Sequence, residues 1–179
     1  MVEAIRIHPL EGRLHAGNGV SLEPAPAAVR INLRAANADL AAINKAIGFK
    51  LPQKPKTSSI AKGTTALWLG PDEWLLICDT PAIVAKLERL GAAICSAVDV
   101  SHRNTAISMS GPNARLALMS GCPQDLRDPA FPVGACSRTL LGKSEIVLWR
   151  EADERYRVEC WRSFSDYVWK YLVDAAKSA

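Results

Sequence analysis

The stretch AVDVSHRNTAISMSGPNARLALMSGC, residues 97–122, decides the fold of this chain. Between Val98 and Met109 it is rich in β-branched and small residues, which predicts a strand. Ser110-Gly111-Pro112 ends that strand and begins a helix, because proline is favoured at the first helical position. The helix carries apolar residues at core-facing spacing, and Gly121 is expected to end it in a left-handed conformation. A strand that leads into a helix is therefore the unit from which the rest of the chain is interpreted.

The start of the predicted strand carries the densest group of ionisable and hydroxyl side chains in the middle of the chain: Asp99, Ser101, His102 and Arg103. A Ser/His/Asp arrangement for acyl transfer is one interpretation, but neighbouring residues of a strand point to opposite faces. The sequence also lacks the Gly-x-Ser-x-Gly turn that presents a nucleophilic serine between a strand and a helix. We therefore favour a structural cluster, in which Asp99 binds the backbone and Arg103 lies at the surface.

Outward from this stretch, one order of elements occurs twice: strand, helix, loop, strands, helix. Strands are predicted at residues 28–33, 65–69, 73–78, 135–141, 145–149 and 156–161, and helices before Gly48, before Gly91 and over residues 164–176. The two hairpin phrases LGPDE (69–73) and LGKSE (141–145) are also alike.

This repetition predicts an α+β fold of two related halves, each an antiparallel sheet covered by helices. The halves are residues 1–96 and 97–179, and residues 1–27 form an irregular lead-in to the first. We expect the halves to pack together as one compact body.

Composition narrows the class of protein. The chain has 179 residues, of which 49% are hydrophobic and 22% are charged, as in an ordinary globular protein. Its net charge of +4 is weak evidence for nucleic acid, since no run of Lys and Arg is interleaved with aromatic residues. No apolar run approaches the ~18 residues that span a bilayer, and no signal peptide is recognisable, so we expect no membrane partner.

Five cysteines lie singly among apolar neighbours: Cys78, Cys95, Cys122, Cys136 and Cys160. An odd number at such spacing argues against a disulfide framework and against a zinc site. We therefore expect reduced cysteines in a cytoplasmic protein that holds no metal.

Two surfaces are candidates for contact with a partner. The connection over residues 48–63 contains Lys50, Lys54 and Lys56, which either are solvated or bind a partner or a phosphate. In the final helix, Trp169 and Val173 extend the apolar surface beyond the core-facing stripe, which is predicted to consist of Phe164, Tyr167, Val168, Tyr171, Leu172 and Ala175. Either a neighbouring element of this chain covers these two side chains, or Trp169 anchors another protein.

Several phrases resemble known families. VDVSH (98–102) followed by GPNA (111–114) looks like the D-[LV]-S-H…G-x-x-A signature of folate-binding aminomethyltransferases, which include the glycine-cleavage T-protein. A more specific resemblance, over most of residues 60–175, is to the gamma subunit family of heterotetrameric sarcosine oxidase. Its phrases are WLGPDEWLL (68–76), CPQDLRDPAFPVG (122–134), RTLLGKSEIVLWR (138–150) and RSFSDYVWKYL (162–172).

This resemblance implies a small subunit with a T-protein-like fold and no cofactor of its own. It implies alpha, beta and delta subunits as partners, and it assigns FAD, FMN, NAD and tetrahydrofolate to the larger subunits. The assembled oxidase of that family demethylates sarcosine to glycine and passes the one-carbon unit to tetrahydrofolate. A supporting, non-catalytic role in that complex is therefore the first hypothesis.

The folate pocket of the T-protein pattern supplies a second hypothesis. In that pattern an acidic pair follows a Gly-Gly turn, and the matching positions here are Ser144 and Glu145. A serine cannot hold or deliver the proton that folate chemistry needs, so Asp99, Ser144 and Glu145 are at most remnants of a pocket. The alternative is a stand-alone folate-binding aminomethyltransferase-like protein. An RNA-modification or iron–sulfur assembly factor is a third and weaker hypothesis, because the lone cysteines supply no redox motif.

Overall fold

The computed structural model describes residues 8–91 and 94–179, which form two antiparallel sheets and four α-helices. The strands are β1 His15–Gly17, β2 Val20–Pro24, β3 Val29–Ala35, β4 Ser58–Ala61, β5 Thr64–Gly70, β6 Glu73–Cys78, β7 Cys95–Asp99, β8 Asn104–Ser110, β9 Cys136–Leu141, β10 Ser144–Ala152 and β11 Arg155–Trp161. The helices are α1 Leu40–Ile47, α2 Ala82–Glu88, α3 Ala114–Met119 and α4 Ser165–Lys177. No helix within these described ranges is long and apolar enough to cross a membrane.

The two sheets pack face to face with the helices outside. One sheet has six strands in the order β1-β2-β8-β11-β10-β9, and the other has five in the order β4-β5-β6-β3-β7. Helices α3 and α4 share an apolar core with the six-stranded sheet, and α1 and α2 share another with the five-stranded sheet. A third core lies between the sheets, where Leu75 and Ile77 of β6 meet Val147 and Trp149 of β10. The predicted α+β class is thus confirmed, and its layers run helix, sheet, sheet, helix.

Each sheet is built from the same succession of elements. The run β3-α1-β4-β5-β6-α2 corresponds to β8-α3-β9-β10-β11-α4, and the strands of both runs take the same spatial order. In each sheet a further strand pairs with the edge that this run leaves free, which is β3 in one sheet and β8 in the other. An unpaired edge would be open to pairing with another chain. In one sheet this strand is β7, which follows α2, and in the other it is β2, which lies near the start of the chain.

The predicted boundary between residues 96 and 97 therefore does not separate the two sheets. Strand β7 crosses it and pairs with β3, while β1 and β2 make part of residues 1–27 a regular piece of the six-stranded sheet. The LGPDE and LGKSE turns are not counterparts either, because they join β5 to β6 and β9 to β10. Gly142 lies in the turn between β9 and β10. The turn that corresponds to it in the other sheet is Lys62-Gly63, between β4 and β5.

The single strand predicted over residues 98–109 is two strands in different sheets. A turn at residues 100–103 carries the chain from β7 to β8, that is, from one sheet to the other. The carboxylate of Asp99 accepts the N–H of Ser101 at 2.8 Å, which is the local hydrogen bond by which aspartate favours turns. The β-branched composition predicted the strands correctly, but it could not locate the polar turn between them.

Two glycines are required by close packing. Gly111 has φ +115°, and a Cβ there would collide with the backbone carbonyl of Gly19 in the β1–β2 turn. Gly111 of the GPNA phrase therefore lets the β1–β2 turn pack against the residues that precede α3. Gly121 does not adopt the predicted left-handed conformation; a Cβ at this position would instead collide with the phenol ring of Tyr171 in α4.

The buried face of α4 differs in part from the predicted one. Val168, Leu172 and Ala175 are buried as expected, but Phe164 and Tyr167 are exposed. Trp169 is only 7% exposed and belongs to the core of the six-stranded sheet, and Val173 packs beside that core. Of the two alternatives for Trp169, the structure supports cover by this chain.

Candidate functional site

The turn between β7 and β8 holds its polar side chains in structural contacts. The hydroxyl of Ser101 accepts the N–H of Arg30 at 2.9 Å, and the N–H of Ser101 is bound by Asp99. These bonds fasten the crossover between the sheets to β3. His102 and Arg103 are exposed at the tip of the turn. Ser101 thus stabilises the turn, and within the described residues no hydrogen bond joins its hydroxyl to a histidine.

The structure does not bring the three candidate folate residues together. Asp99 stands opposite Ile31, on the side of the five-stranded sheet that faces α1 and α2. Ser144 is only 2% exposed and stands opposite Leu141, on the helix side of the other sheet. Glu145 alternates with Ser144 and so lies on the side where the two sheets face each other. One pocket cannot use all three side chains.

A cleft of about 370 Å³ lies between the two sheets, and we call it the inter-sheet cleft. Residues of both sheets and of the crossover turn line it: Glu73, Val98, Arg103, Arg138, Glu145 and Trp161. It is one of the concave sites that Glu145 lines, so any chemistry inherited from a folate pocket would be sought there.

The charged groups of the cleft are largely paired. Glu73 accepts hydrogen bonds from Arg138 at 2.5 and 3.1 Å and from Asn32 at 2.7 Å. The Arg138 hydrogen bond is the main reason why the pKa of Glu73 lies below its ordinary value. Glu145 lies 3.9 Å from the same guanidinium. Because Glu73 stays ionised with both oxygens engaged, it is poorly suited to exchange protons near neutral pH.

A buried charged triad joins the two sheets beside the cleft. Arg30 of β3 and Arg157 of β11 both donate to Glu159 of β11, at 2.6 and 2.8 Å. All three side chains are buried. Sequence reasoning missed this triad, although alternation offered a signal: Arg30 lies between apolar residues in β3, and Arg157 and Glu159 alternate with apolar residues in β11.

An exposed aromatic pair lies at the mouth of the cleft and was also missed. Trp161 is 41% exposed and Phe164 is 45% exposed, with ring centroids 6.1 Å apart. The guanidinium of Arg103 lies over the Trp161 ring at 5.1 Å, which is a cation–π distance. We call Arg103, Trp161 and Phe164 the aromatic–arginine surface. The helical stripe had assigned Phe164 to the core, which concealed this surface in the sequence.

The lysine-containing connection is anchored more firmly than an open loop. Lys50, Lys54 and Lys56 are exposed, but the carbonyl of Lys56 accepts the N–H of Cys136 at 3.3 Å. The hydroxyl of Ser58 in β4 also donates to Gly134 at 2.6 Å. The connection is therefore attached to the six-stranded sheet, and its contact with a partner stays a prediction.

The five cysteines are free and buried in the structure. Burial raises the pKa of Cys136 and of Cys160 to about 12, so both thiols stay protonated at neutral pH. Over residues 8–91 and 94–179, no group of three or more His, Cys, Asp or Glu side chains is arranged to hold a metal ion.

The two packed sheets with outer helices define a T-protein-like fold. The crystal structure of the glycine cleavage system aminomethyltransferase T from Bartonella henselae superposes with a TM-score of 0.63 at 11% identity. The match covers 87% of this chain and 45% of that chain, and at this identity it supports the fold alone.

The family assignment is more specific than the likeness in fold. Residues 33–178 match the model of the sarcosine oxidase gamma subunit family, and the chain belongs to that family. The gamma subunit of sarcosine oxidase from Corynebacterium sp. (strain P-1) is 32% identical over 161 residues, covering 87% of this chain and 79% of that protein. The gamma subunit from Arthrobacter sp. is 33% identical over 153 residues, covering 83% and 75%.

A solved structure gives the same result over nearly the whole chain. A chain of the heterotetrameric sarcosine oxidase from Corynebacterium sp. U-96, solved with pyrrole 2-carboxylate, superposes with a TM-score of 0.88 at 30% identity. The match covers 97% of this chain and 95% of that chain. The resemblance found in the sequence phrases is thereby confirmed.

Proposed function

We propose that this chain is a non-catalytic subunit that supports assembly of a heterotetrameric sarcosine oxidase. The complex would demethylate sarcosine oxidatively to glycine and pass the one-carbon unit to tetrahydrofolate. The observation that carries this proposal is the superposition of nearly the entire chain on a chain of the solved Corynebacterium oxidase. The expected partners are the alpha, beta and delta subunits, and the expected location is the cytoplasm.

The chemistry of the described side chains supports a role without catalysis. Ser144 stands where the T-protein pattern has an acid, and it is buried on the helix side of its sheet, away from the cleft. Ser101 and Glu73 are engaged in hydrogen bonds, and the Cys136 and Cys160 thiols are protonated. We therefore assign FAD, FMN, NAD and tetrahydrofolate to the larger subunits.

Glu145 keeps the alternative function open to a test, because it lines the inter-sheet cleft. We expect the isolated chain to bind tetrahydrofolate no tighter than about 10 µM, roughly −7 kcal/mol, since one carboxylate beside Arg138 lacks its acidic neighbour. Isothermal titration calorimetry measures this directly. The purified chain should also show no flavin absorbance and consume no oxygen with sarcosine.

The assembled oxidase, titrated under the same conditions, is the positive control for folate. A one-to-one complex of tetrahydrofolate with the isolated chain, tighter than about 10 µM, would favour the stand-alone folate-binding protein. A flavin spectrum that persists through gel filtration would contradict the assignment of the flavins to other subunits.

A further inference from the structure

We propose that the aromatic–arginine surface and the adjoining mouth of the inter-sheet cleft bind a larger subunit of the oxidase. The contacting segment of that subunit would present an apolar side chain next to a carboxylate. This inference rests on the proposed function and adds to it the docking surface and the chemistry of the partner.

The exposure of the two aromatic rings is the first argument. Trp161 and Phe164 are large apolar side chains that contact each other while presenting over two fifths of their surface to solvent. Adjacent exposed apolar groups rimmed by polar residues mark interaction sites more often than isolated ones do. Tryptophan, phenylalanine and arginine are also enriched at protein interfaces, and the surface consists of these three residue types.

The shape beside the rings is the second argument. Trp161 forms one wall of the cleft, and Val98 at the end of β7 contributes an exposed apolar group to the opposite sheet. The charges deeper in the cleft are already satisfied by the bonds between Glu73 and Arg138. An apolar side chain that entered the mouth would gain contact with Trp161 and Val98 without leaving a buried charge unpaired.

The charge of Arg103 identifies the complementary group. In the described part of the chain, Arg34 is paired with Asp72 and Arg138 with Glu73. Arg103 instead lies over the Trp161 ring and donates to the amide oxygen of Asn104 at 3.2 Å, and no described carboxylate forms a salt bridge with it. Its remaining N–H groups can donate to a carboxylate of another chain.

The surface is also held in place before any partner binds. Trp161 is the last residue of β11 and pairs with Asn104 of β8. The N–H of Arg162 donates to the carbonyl of Arg103 at 2.6 Å, which joins the crossover turn to the 3₁₀ turn that precedes α4. Because the backbone on both sides of the ring is fixed, little conformational entropy would be lost on binding.

Competitive incorporation into the oxidase tests this inference. The large subunits of the oxidase from the same source are co-expressed with equal amounts of wild-type and variant chains, and peptide mass spectrometry measures the ratio in the purified complex. We expect Trp161→Ala and Arg103→Glu each to be at least tenfold under-represented. Leu116→Ala and Lys86→Glu, which change exposed residues of α3 and α2, are the matched controls and should enter almost equally.

Thermal unfolding of each isolated variant separates loss of binding from loss of fold. Arg103→Glu and Phe164→Ala change exposed side chains, so they keep the test decisive if Trp161→Ala does not fold. If the folded variants enter the complex at the same ratio as the control variants, the proposed docking surface is overturned and the proposed function stays intact. A wild-type chain that never enters the complex would overturn both.

Discussion

Replacing Glu159 by alanine is expected to lower the free energy of unfolding of the isolated chain by about 3–5 kcal/mol. The carboxylate is the shared partner of Arg30 and Arg157, and all three side chains are buried. Its removal leaves two buried guanidinium groups in the layer between the sheets without the carboxylate that both of them bind. Urea denaturation followed by tryptophan fluorescence measures the change.

Glu145→Ala is the matched control for this prediction. Glu145 lies in β10, the neighbouring strand of the same sheet, but its side chain is exposed. Its replacement should change the free energy of unfolding by no more than about 0.5 kcal/mol. Equal losses for the two variants would show that the triad contributes nothing beyond an ordinary surface charge.

Replacing Trp169 by alanine is expected to cost a similar amount, about 3–5 kcal/mol, for a different reason. The side chain is 7% exposed and fills the core between α4 and the six-stranded sheet. Truncation to alanine leaves a cavity that the neighbouring close-packed side chains can fill only in part. A sharp fall in the melting temperature of the isolated chain is the expected observation.

Trp161→Ala is the matched tryptophan control, because Trp161 is 41% exposed. It should lower stability by less than about 1 kcal/mol while impairing incorporation into the complex. The account would be contradicted if Trp169→Ala left the melting temperature of the isolated chain unchanged and blocked assembly. The interface would then have to include α4, and Lys50, Lys54 and Lys56 would be the next candidates.

The elements were predictable because each has a local signal. The apolar stripe and Gly48, which adopts φ +82°, placed α1 correctly, and Pro71-Asp72 placed the β5–β6 hairpin. The repetition of such signals predicted two antiparallel sheets, each covered by helices.

The pairing of β2 with β8 and of β7 with β3 could not be predicted from such local signals. β2 pairs with β8, more than eighty residues later in the chain, and nothing in its five residues specifies that partner. The pairing depends on the uncovered edge of β8 and on Gly111, which admits the β1–β2 turn beside α3. A strand with a short and common pattern acquires its place from the tertiary structure.

The candidate site was likewise predictable only in part. The phrases of the sequence identified the family and placed Glu145 and Ser144 at a hairpin, but only the packing of the sheets decides which of the two faces the other sheet. Phe164 was assigned to the core because helical spacing alone does not show where a helix begins. In the structure α4 begins at Ser165 and follows a short 3₁₀ turn over Arg162–Phe164, so Phe164 lies outside the α-helix and is exposed.

The mass of the complex purified through a tag on this chain tests the central claim most directly. Native mass spectrometry after co-expression with the large subunits should give one assembly of four different chains, including one copy of this 179-residue chain. That assembly should oxidise sarcosine, and the tagged chain alone should not. Recovery of the tagged chain by itself, while the other subunits form an active oxidase of the same stability without it, would contradict the account.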